Sequence, residues 1–261
     1  MSLSLYIDGR TWAHRLHPIV RVLGMGAFFI MAFVVERPVW ELPLVALIAV
    51  LLLWTGALRN VYRLRYLFVI MFVMTLLIWI LFYGPDGQPP LLTVGRFAVS
   101  HTAPWFALGM ATKLTVILAA GIFFLSITRI EDFAYALTRA GLPYKIGFTM
   151  TMAFRLVPVF LDSAASVVQA QRCRGLDFDS GNLWQRLRRY IPVIVPVFMG
   201  ALRRADGMAM ALEARGFQSD RTRTTFQYYE FGLGDAAALA VLAVLLAGYL
   251  ILWWHGSLRL R

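Results

Sequence analysis

A run of about 20 apolar residues with almost no charge leaves a chain little choice. In hydrocarbon the backbone must satisfy its own hydrogen bonds, and a single segment does so only as an α-helix. Five such runs stand out, at about 22–36, 39–58, 66–83, 104–127 and 235–254. The first is short for a hydrocarbon core of ~30 Å. Over all 261 residues, 60% are hydrophobic and 15% are charged, below the roughly 25% charged that soluble domains carry. The expected fold is an all-α integral membrane protein with about five transmembrane helices, plus a cytoplasmic module of long, crossing amphipathic helices.

Charge sets the expected topology. The net charge is +11, and Lys113 and Lys145 are the only lysines among the 25 cations. A soluble protein this basic would suggest nucleic acid, but no basic groove motif or RNA-binding aromatic pattern occurs. Cytoplasmic loops of membrane proteins collect Lys and Arg, so the expected surroundings are a lipid bilayer and not nucleic acid. Arg10, Arg15 and Arg21 place the N-terminus in the cytoplasm, and Arg59, Arg63, Arg65 and Arg129 mark later cytoplasmic loops. The turn-rich stretch Tyr83 to Pro90 falls outside, and Arg259 and Arg261 in the tail run against the rule. No compact signal and cleavage site precedes the first run. Cys173 is the one cysteine, so no intrachain disulfide framework is expected.

Three parts follow: a membrane domain over 1–128, a cytoplasmic module over 129–233, and a last span with its tail over 234–261. The middle part holds 14 of the 25 cations and nine of the 14 acids, yet 143–168 and 190–202 are strongly apolar and are interrupted by Pro143, Pro158, Pro192 and Pro196. These look like kinked amphipathic helices at the bilayer surface or packed under the spans. Leu202, Ala205, Ala209 and Leu212 repeat at helical spacing, as do Leu161, Ala164, Ala165 and Val168. Small residues such as Ala201, Ala205 and Ala209 favour close helix packing.

Two arginine elements close these helices, 41 residues apart. One is Gln171-Arg172-Cys173-Arg174-Gly175-Leu176-Asp177 and the other is Leu212-Glu213-Ala214-Arg215-Gly216-Phe217. Gly175 and Gly216 suit the left-handed residue that ends a helix, and an arginine there favours the helix dipole. One such end needs no partner. Two ends of the same pattern, Cys173-Arg174-Gly175 and Ala214-Arg215-Gly216, suit a partner with two equivalent grooves, because an arginine fork binds a carboxylate and stays charged when partly desolvated.

Enzymatic machinery is missing from the sequence. No P-loop occurs, His14, His17, His101 and His255 lack metal spacing, and no serine sits in a nucleophile elbow. Acids are almost absent from the spans, so the carboxylate pathway of proton-coupled carriers is not expected. Lys113 lies inside the fourth span, either as a functional cation or as an inward-facing lysine bonded to neighbouring hydroxyls or carbonyls. Arg155, just before Pro158, either pairs with Asp162 or Asp206 or snorkels to the surface. Met150, Met152, Met199, Met208 and Met210 fill a core or adapt a binding surface.

At these residues the chain resembles the T component (EcfT/CbiQ/BioN-like) of energy-coupling factor transporters. His14-Arg15-Leu16-His17-Pro18-Ile19-Val20-Arg21 is similar to that family's N-terminal Leu-x-Pro-x-x-Lys/Arg opening. Leu137 to Pro143 with Phe154 to Pro158 resembles the start of its coupling region. Ala170 to Gly175 and Glu213 to Phe217 resemble its two coupling signatures, with Cys173 where alanine is common. The resemblance implies that Arg174 and Arg215 meet acidic residues on two ABC-type ATPases, identical or different, which carry the ATP and magnesium. It also implies a separate membrane S component that binds a vitamin or metal ion, and a prokaryotic cell membrane location. This chain itself then holds no cofactor and is not an enzyme. The competing expectation is a self-contained permease with a polar cluster near mid-membrane.

Overall fold

The computed structural model describes residues 6–7, 9, 11–35, 37–83, 92–94, 97–99, 102–178, 180, 182–217 and 229–255. The helices in chain order are α1 (Trp12–Arg15), α2 (Pro18–Val34), α3 (Pro38–Thr55), α4 (Leu58–Arg63), α5 (Arg65–Phe82), α6 (Ala103–Ile127), α7 (Ile130–Arg139), α8 (Tyr144–Cys173), α9 (Leu183–Arg189), α10 (Ile191–Ala214) and α11 (Leu233–Trp254). Two three-residue strands, β1 (Leu92–Val94) and β2 (Phe97–Val99), pair antiparallel between α5 and α6. The all-α membrane fold stands, with this small hairpin as an addition that the sequence reading did not anticipate.

Local chemistry sets the boundaries. Prolines open α2, α3 and α6 in the first turn, where a missing N–H costs no helical bond. Gly56 ends α3 in the left-handed region at φ 72°, and its N–H bonds to Leu53 O.

The chain divides into two compact units, residues 1–142 with 229–261, and residues 143–228. In the first, α6 packs against α2, α3 and α5, and α2 packs against α7 and α11. Its core joins Phe28, Met31 and Val35 to Leu44, Ile48 and Leu52 and to Val116, Ala119 and Ala120. Ala103, Ala107 and Ala111 form a fully buried stripe along α6, the small-residue spacing that lets membrane helices approach closely. The sequence reading started the middle module at 129. In the structure α7 packs on α2 and belongs to the first unit.

In the second unit α8 and α10 pack together. Phe217, just past the end of α10, lies 4.5 Å from the Phe148 ring and 6.3 Å from the Tyr144 ring at the start of α8. The two helices therefore run in opposite directions. Phe178, 1% exposed, packs on Tyr190 at 5.1 Å and fixes the turn between them. Arg186 and Arg189 fasten that turn by donating to Phe178 O, Asp177 O and Ser180 O.

Among the described residues, five helices are long and apolar enough to cross a membrane: α3, α5, α6, α8 and α11. The number agrees with the sequence reading, but the membership differs. The first expected span corresponds to α2, which at 17 residues covers only about 25 Å. The 30-residue α8, expected at the bilayer surface or packed under the spans, qualifies instead, with a mean hydropathy of 1.4 over its most apolar 18 residues.

Candidate functional site

The two arginine ends share one backbone geometry. At the close of α8, Gly175 has φ 86°, its N–H donates to Arg172 O at 2.9 Å, and Leu176 N donates to Gln171 O at 3.0 Å. At the close of α10, Gly216 has φ 69°, its N–H donates to Glu213 O at 2.9 Å, and Phe217 N donates to Leu212 O at 2.9 Å. Both are the 6→1, 5→2 pattern that satisfies the last carbonyls of a helix. The motif is not unique to them: α7 ends the same way at Gly141, φ 111°, with Leu142 N donating to Leu137 O. What sets the two ends apart is an arginine at the cap position. Arg174 and Arg215 are the C-caps, and both are exposed, as are Cys173 and Ala214 beside them.

Because α8 and α10 are antiparallel, the ends do not sit side by side. Arg215 lies by the start of α8 and Arg174 at its finish. The helical path from Phe148 to Cys173 is about 38 Å. The arrangement is a bar with an exposed arginine C-cap at each end.

The supporting residues divide. Arg155 is exposed and forms no ion pair with Asp162 or Asp206, so the carboxylate pairing considered for it is not formed. Its neighbour Pro158 interrupts α8, removing one backbone donor. Lys113 belongs to the first unit. It is 9% exposed, its Nζ donates to Phe33 O at 3.3 Å, and it lies 5.8 Å from the centre of the Phe33 ring.

Sequence reasoning missed two features of the first unit. Glu41, in the first turn of α3, is 1% exposed, and neither carboxylate oxygen has a hydrogen-bond partner. The charge acting on it is the Lys113 ammonium, and Tyr249, on α11, also feels its field. The signal was a lone acid three residues after Pro38 in an otherwise apolar run.

The second is a polar knot at the base of α2. Arg21 pairs with Asp132 at 3.1 Å, with both side chains nearly fully buried. The same guanidinium donates to Leu16 O, Ile127 O and His14 O. Asp132 also accepts from the Tyr229 hydroxyl at 2.6 Å. Burial, and then the bond to Asp132, push that hydroxyl well above the usual tyrosine range, so it keeps its proton and donates. Next to it, Asp235 accepts from His17 N at 2.6 Å and from Gly232 N at 2.9 Å. The His17 ring packs among Tyr135, Tyr229 and Phe231, and its Nδ1 accepts from Ile19 N. Burial lowers the His17 pKa, against the opposing pull of Asp235.

An apolar cavity of about 270 Å³ opens among α2, α3, α6 and α11, lined by residues such as Phe28, Leu47, Ala120 and Val241. Arg21 is the charged residue in its wall, and that charge is already paired with Asp132.

A mainly helical membrane protein whose second unit ends in two exposed arginine caps fits the class of transporter membrane components. Comparison with known proteins agrees. The family model CbiQ, described as cobalt transport protein, matches residues 9–226, and the chain belongs to that family. It is 29% identical over 258 residues to the energy-coupling factor transporter transmembrane protein EcfT of Thermosediminibacter oceani, covering 95% of this chain and 96% of that protein. It is 28% identical to the protein of that description from Bacillus selenitireducens, covering 92% of each. With the one from Streptococcus thermophilus it shares 27% identity, covering 97% of this chain and 98% of the other. The resemblance to T components read from the motifs is borne out, and the family is one of transporter components rather than enzymes.

Proposed function

We propose that this chain transmits ATP-driven motion from two cytoplasmic ABC-type ATPases to a substrate-binding S component in a prokaryotic cell membrane. In this reading the N-terminus is cytoplasmic, ATP and magnesium sit on the ATPases, and the cargo is a vitamin or metal ion held by the S component. Residues 143–228 form the coupling module. Cys173, Arg174 and Gly175 enter one ATPase groove, and Ala214, Arg215 and Gly216 enter the other. The observation that carries the reading is the bar itself: two exposed arginine caps of one backbone design at opposite ends of an antiparallel helix pair. Opposed ends suit two grooves on two subunits better than two contacts on one.

A self-contained permease needs polar groups lining a solute path. The cavity wall is apolar apart from the paired Arg21, which supports the coupling reading instead. The test is purification of the tagged chain from its native membrane with mass spectrometry of what accompanies it. Two P-loop ATPase chains, or one as a homodimer, together with a small hydrophobic protein, are the expected result. Recovery of the chain alone, moving a solute into liposomes without ATPases, would overturn it.

A further inference from the structure

The polar knot holds both ends of an insertion. Residues 143–228 form a unit of their own, so the chain leaves the first unit after Leu142 and returns at Tyr229. Asp132 sits on α7, the helix that leads to the exit. Tyr229 is the first residue after the return. The two meet directly, Tyr229 Oη donating to Asp132 Oδ1 at 2.6 Å, while the other carboxylate oxygen takes the Arg21 guanidinium at 3.1 Å. Arg21 in turn grips three backbone carbonyls, on α1, beside it and at the end of α6. One further strut, Asp235 to His17 N, ties the start of α11 to the start of α2. Departing segment, returning segment and three helices of the first unit thus share one hydrogen-bonded cluster.

We infer that Asp132, held by Arg21 and Tyr229, is a positioning residue for energy coupling, clamping the two chain segments through which any force on residues 143–228 enters the membrane helices. The inference rests on the coupling function proposed above. Force on an inserted unit reaches its host only through covalent ends and contacts. If the ends part freely, motion dissipates in their separation. A buried charge-assisted bond is stiff, and its loss leaves an unpaired charge, so the clamp resists parting. The knot belongs to the first unit and the arginine ends to the second, so the clamp concerns transmission and not the groove contacts.

Spin labels on Ala140→Cys and Glu230→Cys, in the full chain with Cys173→Ser, read the spacing of the two ends. A single narrow distance distribution is expected with the native knot, and one at least twofold broader in Asp132→Asn and Tyr229→Phe. Tyr229→Phe keeps the ring packing on His17 and Tyr135, so it decides the matter if Asp132→Asn does not fold. A distribution that stays narrow in Tyr229→Phe overturns the clamp. The second readout is Mg-ATP hydrolysis by the assembled complex, with Cys173 restored. Tyr229→Phe is expected to assemble in wild-type yield and to hydrolyse at least threefold faster per complex, because the ATPases then cycle without load. Hydrolysis equal to wild type, or activity lost only in step with assembly, marks a purely structural role and overturns the inference. A wild-type chain that recruits no ATPase defeats the coupling reading, while the label distances still judge the clamp.

Discussion

Glu41 and Lys113 offer the sharpest test of the membrane packing. Glu41 is 1% exposed and Lys113 9%, and the carboxylate oxygens have no hydrogen-bond partner to share the cost of burial. Lys113 acts on Glu41 as an opposite charge, although the two form no contact ion pair, and its Nζ donates to Phe33 O. Replacing Lys113 by Met removes both interactions, a change that costs about 1–3 kcal/mol. For a protein of this size each kcal/mol moves the melting temperature by about 2–4 °C, so Lys113→Met should lower it by about 2–12 °C. Removing both charges is different, because apolar replacements of a buried pair are often neutral. Glu41→Leu with Lys113→Met should therefore recover most of the loss. The assay is thermal unfolding of the four purified proteins in one detergent, scored as a double-mutant cycle. Additive losses, with the double variant as poor as the sum of the singles, would refute the argument that the two charges hold each other in the bilayer.

Other outcomes follow from the ends of the bar and the knot. Arg174→Ala and Arg215→Ala should each weaken ATPase binding by about 2–5 kcal/mol, the cost of stranding a buried partner charge, and the double variant should be worse; wild-type affinity for the double in a pull-down titration sinks the assignment. Gly175→Ala and Gly216→Ala place a side chain at φ 86° and 69°, which costs roughly 1–2 kcal/mol per residue. Amide exchange should show the last turn of α8 or α10 fraying while the rest of each helix keeps its protection. His17 has a folded pKa below its usual 6.5 because of burial, so the unfolded chain binds the proton more readily. Stability should be intact above about pH 6.5 and fall as the pH drops below it. Melting curves between about pH 7.5 and 5.5 should show that fall in the wild type and a shallower one in His17→Gln; parallel slopes would remove His17 as the cause.

The spans were legible because hydrocarbon enforces a simple rule. Expected runs at about 39–58, 66–83, 104–127 and 235–254 became α3, α5, α6 and α11, each displaced by only a few residues. The start of α2 was misplaced for a physical reason: Arg21 was counted as a flanking cytoplasmic charge, but it lies in the first turn of the helix, neutralised by Asp132. Its charged partner lies far away in sequence, Asp132 111 residues on, and the second strut joins His17 to Asp235 across 218 residues. No periodicity reveals pairings at such separations. Glu41 was lost in the opposite way, as one acid within a run whose average remained apolar. Gly175 and Gly216 were readable because a glycine after a helical pattern has few other uses. Lys145, Arg155 and Asp162 made α8 read as an interfacial helix, although its most apolar stretch is hydrophobic enough to span a bilayer.

The antiparallel course of α8 and α10 also determines how symmetry is handled. An antiparallel helix pair has a local twofold axis that exchanges its two C-terminal ends, but here the sequence breaks it, because one end carries Cys173 beside its arginine and the other Ala214. A pair of identical motor subunits would meet unlike plugs. In the proposed complex, one copy of this chain would therefore make a twofold engine lopsided, giving each motor its own address and the stroke a built-in left and right.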